Sequence, residues 1–190
     1  MSGDHEEIKI GNFIGDYVKG RDYQKYPLNI MKGILIHREI DHYTDSHPVV
    51  QKSKSHLKIK SKRYTGIIID VFYDHFLSVE WKRFSTIPLQ DFIDGFNRIA
   101  LKYYSVIPGD FKQLVPFFVI NSWLEGYQSV EGIESVLYRM SNRTSLPAET
   151  LGAIEILKND YKLFHKEFLT YFPSLISHIE KKMDIVIPRP

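Results

Sequence analysis

His37-Arg-Glu-Ile-Asp-His-Tyr-Thr-Asp45 decides how this chain is read. It lies in a run, residues 30–47, whose apolar residues Ile30, Ile34, Leu35 and Ile40 recur at roughly helical spacing. That spacing predicts a helix with one buried stripe. His37, Asp41 and Asp45 stand at i, i+4 and i+8. At about 100° per residue each step drifts by only ~40°, so all three project from one face. A second run repeats the device: Gly66-Ile-Ile-Ile-Asp70-Val-Phe-Tyr-Asp74-His75-Phe-Leu77. Asp70 and Asp74 are again i, i+4, inside a strongly apolar segment. Helical bundles build metal sites from helices that each aim ionisable side chains inward.

Working outward, residues 8–19 form the first predicted element. Asp16 follows Gly15 there, and Gly20 is the stop. A polar, tyrosine-rich connection covers 22–27. The His37 helix ends at His47-Pro48, because a residue before proline leaves the helical region. Residues 49–62 read as an amphipathic helix and hold the densest positive charge: Lys52, Lys54, Lys58, Lys60, Lys62 and Arg63, with no acid between Gln51 and Ile69. The Asp70/Asp74 helix covers 65–81. Pro88 opens a helix to 104, Pro108-Gly109 is a turn, and 110–123 is a helix that Pro116 kinks. Residues 129–142 carry the stripe Ile133, Val136, Leu137 and Met140. Pro147 opens a long helix over 148–171, Pro173 starts a last one to 183, and 185–190 is an extended tail. No segment alternates as a strand requires. The prediction is all-α, a single compact helical domain over 1–190, with roughly seven to nine helices.

Composition narrows the class. Twelve Phe and twelve Tyr in 190 residues exclude disorder and are enough for a sizeable core. There is no cysteine, hence no disulfide framework and no thiolate metal site. No apolar run reaches the ~18 residues a membrane span needs, and the opening Met1-Ser-Gly-Asp-His-Glu-Glu7 has no signal-peptide core. A soluble, cytoplasmic protein is expected, with no membrane partner. A net charge of +2 does not point to nucleic acid.

His37, Asp41, Asp70 and Asp74 make a mixed nitrogen and oxygen set. Such a set suits Mn²⁺, Mg²⁺ or Fe²⁺ better than a structural zinc, which favours Cys and His. Phosphoester hydrolysis uses sites of this kind: the metal polarises a phosphoryl oxygen and lowers the pKa of a bound water. Asp16 is a fifth candidate and His75 a sixth. His75 stands ~140° around its helix from Asp70, which suits an outer partner or a general acid/base better than a ligand on the Asp70/Asp74 face.

The alternative for any one such pair is a solvated face or a cap. Two features favour a site: Asp70 and Asp74 lie in a segment apolar nearly all round, where unpaired acids are costly, and two separate helices show the pattern. Arg38 is a candidate phosphate contact or a surface ion-pair partner, and Lys19 is open to the same two readings. Asn142-Arg143 closes a helix, as a cap or as a phosphate contact. His5, His56, His165 and His178 have no partners at ligand spacing and are expected to be exposed. Trp81 and Trp123 are expected in the core.

Taken together, Gly11-Asn-Phe-Ile-Gly-Asp-Tyr-Val-Lys-Gly20, Gly33-Ile-Leu-Ile-His-Arg-Glu-Ile-Asp41 with Thr44-Asp45, and Asp70-Val-Phe-Tyr-Asp-His-Phe-Leu77 resemble the acyl carrier protein phosphodiesterases. Trp123-Leu124 and Met140-Ser-Asn-Arg143 fit the same pattern, so the resemblance covers nearly the whole chain. That family is regarded as a divergent branch of the all-α HD-type metal-dependent phosphohydrolases. The resemblance implies hydrolysis of holo-acyl carrier protein to apo-protein and 4′-phosphopantetheine, with a divalent metal, usually Mn²⁺. Carried over by position, it implies a site of Asp16, His37, Arg38, Asp41, Asp70, Asp74 and His75. Members usually open with Asn-x-Leu-Ala-His or similar just before a stretch like Ser2-Gly3-Asp4, and here Met1 stands in that place.

Two other functions are compatible with the residues alone: an HD-like hydrolase of a small phosphoester or nucleotide, and a non-catalytic helical binding module. A carrier-protein enzyme is expected to use the basic stretch, with Lys54, Lys58 and Lys62 as contacts. A small-molecule enzyme is not, and a binding module is expected to hold no metal.

Overall fold

The computed structural model describes residues 5–57, 62–113, 115, 123–143 and 152–190. Lys58, Pro116 and Pro147 lie outside the described residues, as do the side chains of Arg63, Trp123, Asn142 and Arg143. Among the described residues every regular element is helical, and the helices are α1 Glu6–Phe13, α2 Leu28–Ser46, α3 Pro48–His56, α4 Thr65–Val79, α5 Trp81–Phe84, α6 Leu89–Lys102, α7 Gly109–Lys112, α8 Val130–Arg143, α9 Ala153–Asn159 and α10 Tyr161–Met183. The all-α expectation holds. None of these helices is long and apolar enough to cross a membrane.

The chain divides into two compact units: Met1–Thr44 with Lys82–Asn121 and Leu175–Pro190, and Asp45–Trp81 with Ser122–Ser174. The first is built on Ile10, Ile14, Val18, Ile30, Ile34, Ile99, Ala100, Ile107, Phe111 and Val115. Phe13 meets the Phe96 edge at 4.8 Å, and Tyr17 stacks on Phe111 at 3.9 Å. On α2 the buried residues are Ile30, Gly33, Ile34 and Ile36, while Leu35 and Ile40 are half-buried.

Glycines let α1 and α2 meet backbone to backbone. A Cβ on Gly11 would land on the Ile30 carbonyl, and one on Gly33 on the Ile8 carbonyl. Alanine normally stabilises a helix interior over glycine. Gly33→Ala is therefore a test of sign. The overpacking is expected to cost about 1–3 kcal/mol, a drop of several degrees in thermal midpoint for a chain this size. A raised midpoint in a thermal melt would contradict the close approach.

Several boundaries differ from the sequence expectation. The first element stops at Phe13, and Gly15–Tyr17 continues as a 3₁₀ turn, which puts Asp16 on a turn rather than a helix. Gly20 takes the left-handed conformation, φ +50°, that glycine alone adopts at little cost. The basic helix is shorter than expected: α3 ends at His56, because Leu57 is extended. Its start is well made, with Pro48 in the first turn and the Val49 N–H donating to His47 Nδ1 at 3.2 Å.

The helix expected over 148–171 is interrupted at Asp160, and Pro173 sits inside α10 rather than opening a new helix. An interior proline costs about 3 kcal/mol. The buried stripe Phe164, Phe168, Tyr171, Leu175, Ile176 and Ile179 runs through both sides of it, and burying each such side chain is worth about 1.5–3 kcal/mol. In the second unit, α8 buries Ile133, Val136 and Leu137 as expected, while Met140, the fourth residue of the stripe, is half-buried; Ser129 Oγ accepts from the Gly132 N–H at 3.0 Å to start the helix.

Candidate functional site

In the first unit α2 carries His37 and Asp41 one turn apart, and the 3₁₀ turn brings Asp16 to the same imidazole. His37 Nε2 lies 3.2 Å from Asp16 Oδ1 and 3.1 Å from Asp41 Oδ2. The three can each offer one ligand atom, all within 4.8 Å of one another. Both carboxylates are exposed while Nε2 is buried. Neither contact has hydrogen-bond direction, so Nε2 is a buried polar atom with no hydrogen-bond partner. Such an atom is costly unless something satisfies it. Gly15 makes the approach possible: a Cβ there would land on the His37 ring.

The turn is held from α2. Arg38 donates to the Gly20 carbonyl at 2.8 Å and the Val18 carbonyl at 2.7 Å, and its guanidinium lies 5.0 Å from the centre of the Tyr23 ring. Arg38 thus braces the segment that follows Asp16. Lys19 Nζ donates to the Asp16 carbonyl at 2.7 Å, which keeps a cation beside the acids.

Charge follows geometry here. Burial acts to lower the pKa of His37, but the contacts with Asp16 and Asp41 and their charges outweigh it and raise the ring to about 9. The same contact with His37 holds the Asp16 carboxyl below its usual value; burial opposes this and Lys19 adds to it. An imidazole nitrogen with two carboxylate oxygens fits a divalent cation of the Mn²⁺ or Mg²⁺ kind, with positions left for water and substrate. Zinc in a structural site would demand a fuller set of Cys and His.

Asp70 and Asp74 lie on α4 in the second unit. The sequence places them among apolar residues, but both are exposed. Ile68, Ile69, Val71, Phe72, Tyr73, His75 and Phe76 occupy the buried side, and the acids share the open face with Ile67. Asp74 is exposed, yet the protein packed near it takes some hydration from its carboxylate. That loss of hydration pushes its carboxyl up to about 7; the Asp70 charge adds to the rise, and a hydrogen bond from Tyr127 opposes it.

His75, the expected acid/base, is only 2% exposed, and both its nitrogens are engaged. Nδ1 is 2.8 Å from the Tyr127 carbonyl, and Nε2 is 2.9 Å from the Tyr161 hydroxyl. A carbonyl only accepts, so Nδ1 carries the hydrogen. Burial lowers the pKa of the ring, with the carbonyl bond opposing.

Of the basic stretch, Lys54 Nζ pairs with Asp45 at 2.9 Å and Lys52 Nζ with the buried Glu167 at 3.3 Å. Glu167 also accepts from Ser53 at 2.6 Å. These two lysines therefore spend their charge within the chain. Lys62 is exposed. Three histidines expected to be exposed are partnered instead: His56 Nε2 with Glu167 at 3.0 Å, His165 Nε2 with Glu80 at 2.8 Å, and His178 Nε2 with Glu39 at 2.7 Å. Their partners lie 111, 85 and 139 residues away, so local spacing held no sign of them. Trp81 is half-buried rather than core. What Tyr127 and Tyr161 touch is set by tertiary packing and leaves no local pattern in the sequence.

Fold and site together define an all-α protein that presents an imidazole–dicarboxylate cluster on one helix and turn and an exposed acid pair on another helix. The family model described as acyl carrier protein phosphodiesterase matches residues 1–175. An acyl carrier protein phosphodiesterase of Yersinia enterocolitica is 30% identical over 174 residues, covering 91% of this chain and 90% of that one. Those of Yersinia pestis and Photorhabdus laumondii are 29% and 28% identical, over 91% and 95% of this chain and 90% and 91% of theirs. No solved structure matches the chain. The chain belongs to the acyl carrier protein phosphodiesterase family.

Proposed function

We propose that this chain is a divalent-metal-dependent phosphodiesterase that hydrolyses holo-acyl carrier protein to the apo-protein and 4′-phosphopantetheine. Family membership supports the carrier protein as substrate and the phosphodiester as the bond cleaved. The observation that carries the metal dependence is the buried, unsatisfied His37 Nε2 facing the Asp16 and Asp41 oxygens. Because the phosphate leaves with the pantetheine arm, the bond broken joins phosphorus to the carrier's oxygen, which must receive a proton. Water supplies the oxygen added to phosphorus.

Asp16, His37 and Asp41 would hold a metal ion, Mn²⁺ by resemblance, with Mg²⁺ or Fe²⁺ as alternatives. Asp70 and Asp74 would offer further carboxylate oxygens to a divalent cation. When bound, the metal supplies Lewis-acid polarisation of a phosphoryl oxygen and a water of lowered pKa. Lys19, fixed beside Asp16, offers positive charge to the phosphodiester anion. Arg38 acts through the backbone, holding the turn that aims Asp16. Lys62 is an exposed cation available to an acidic partner.

The test is to incubate purified protein with holo-acyl carrier protein and Mn²⁺ and weigh the products by mass spectrometry. Loss of the arm with Mn²⁺, none after chelation, and recovery on adding the metal back are expected. An unchanged carrier mass with metal present would overturn the assignment. Equal cleavage in chelator would overturn the metal dependence alone.

A further inference from the structure

We infer that the turn over residues 18–25 is the docking surface for the carrier protein, with the Arg21 guanidinium as its contact for an acidic patch beside the residue that bears the arm. This rests on the reading of the chain as a carrier-protein phosphodiesterase and names where on the chain that partner is read. Lys19 and Arg21 follow Asp16 within five residues. Five residues span at most about 18 Å of extended chain, so both cations stand close to the cluster of Asp16, His37 and Asp41. Both are exposed. Asp22, the acid in the same turn, is paired with Lys25 at 2.5 Å. Lys19 Nζ donates to the Asp16 carbonyl, a neutral acceptor. The Arg21 side chain has no hydrogen bond or ion pair among the described residues.

The backbone under Arg21 is held from the helix that carries His37. Arg38, the next residue of α2, donates to the Val18 carbonyl at 2.7 Å and the Gly20 carbonyl at 2.8 Å. Gly20 turns the chain at φ +50°. Asp22–Lys25 then closes as a 3₁₀ turn, with the Asp22 N–H donating to the Lys19 carbonyl and the Gln24 N–H to the Arg21 carbonyl, each at 3.0 Å. Tyr23 and Tyr26 pack against the core of the first unit. Arg21 therefore projects from a turn fixed relative to the imidazole. A preordered surface gives up less freedom on binding than a loose one.

The chemistry of the substrate says what such a surface meets. A phosphodiester has two sides. In the holo-carrier one side leads into the pantetheine arm, a chain of amides ending in a thiol, which is uncharged. The other leads at once into the carrier protein. A guanidinium without a partner gains little from the neutral arm, whereas an acidic protein face complements it. The denser basic run along the sequence is partly neutralised: Lys52 pairs with Glu167 and Lys54 with Asp45. Opposite charges across an interface steer encounter and fix register more than they add raw affinity. Arg21 accordingly acts on KM and on the choice of a carrier over a free phosphodiester.

The experiment is calorimetric titration of the full chain, with Mn²⁺ present, by apo-carrier protein, alongside KM and kcat for the holo-carrier, in the parent, Arg21→Gln, Arg21→Glu and Lys62→Glu. The apo-carrier has neither phosphate nor arm, so its binding reports the protein surface alone and is readable without cleavage. Arg21→Glu is expected to weaken apo-carrier binding and raise KM about tenfold, at the low end of what electrostatic steering supplies, and Arg21→Gln should fall between it and the parent. At 1 M salt, where the Debye length is about 3 Å, the parent and both Arg21 variants should converge. A fold defect would not be erased by salt. Parental apo-carrier affinity in Arg21→Glu would overturn the inference while cleavage by the parent kept the proposed function. Graded loss in the Arg21 variants beside a holo-carrier whose mass never changes would support the docking surface and overturn the function. No binding of the apo-carrier by the parent would overturn the inference, as would a loss confined to Lys62→Glu. An equal loss on bis(4-nitrophenyl) phosphate in Arg21→Glu would place the damage at the metal site and overturn it too.

Discussion

Replacing His37 by glutamine is expected to lower turnover of holo-acyl carrier protein by more than about 100-fold, beyond the loss typical for an outer partner of a metal ligand. Glutamine roughly keeps the volume under Gly15 but removes the imidazole nitrogen that faces Asp16 at 3.2 Å and Asp41 at 3.1 Å. Two carboxylates without the nitrogen donor remain a poor chelate. The pH dependence of binding gives a second readout. In the metal-free protein the ring titrates at about 9, above its ordinary 6.5. It therefore carries a proton at neutral pH, and a metal must displace it. Mn²⁺ affinity should fall as pH falls below about 9, and calorimetry in two buffers of different ionisation heat should detect the released proton. In His37→Gln that release should vanish. Turnover within about threefold of the parent would remove His37 from the metal site.

The same proton stabilises the metal-free fold. Its folded pKa lies above the unfolded one, so this contribution is full below about pH 6.5 and is lost as pH rises through about 9.

Asp74→Asn is expected to abolish turnover and yet make the metal-free protein more stable at about pH 8. Asparagine keeps the size and removes the charge that a hard divalent cation prefers. The stability gain follows from linkage. The folded carboxyl titrates at about 7, against an ordinary 3.8. A folded pKa raised in this way contributes stability that is full below about 3.8 and lost as pH rises through about 7. At pH 8 the parent carries a poorly hydrated charge near Asp70, and the variant does not. Because the side chain keeps solvent access, the effect is discounted to about 1 kcal/mol, or about 3 °C in thermal midpoint for 190 residues. The gap should close at about pH 4, where the parent is protonated too. A variant less stable than the parent at pH 8 would contradict the raised pKa, and unchanged turnover would remove Asp74 from the chemistry.

What was legible in the sequence was what local periodicity encodes. The i, i+4 spacing of His37 and Asp41 put them on one face, and the structure has them 3.1 Å apart. The stripe of Ile133, Val136, Leu137 and Met140 predicted a buried helix face; the first three are buried and Met140 is half-buried. Spacing works here because a helix turns a fixed angle per residue, whatever surrounds it.

Tertiary structure decided the rest. Asp16 reaches His37 only because Gly15 lets a 3₁₀ turn press against the imidazole. Lys54 left the expected basic cluster for Asp45, and three histidines found glutamates far along the chain. Proline at 173 reads locally as a break, yet the buried stripe carries α10 through it. Tyr127 has no spacing relation to His75, and the hydrogen bond between its carbonyl and the ring exists because a turn seated on α8 meets α4. Contacts of this kind come from packing and loop closure, which leave no period in the sequence. The sequence by itself determined the all-α class and, within a helix, which side chains share a face; the tertiary structure decided where several helices end and which faces meet, because the energy of burial is gained between segments and not within them.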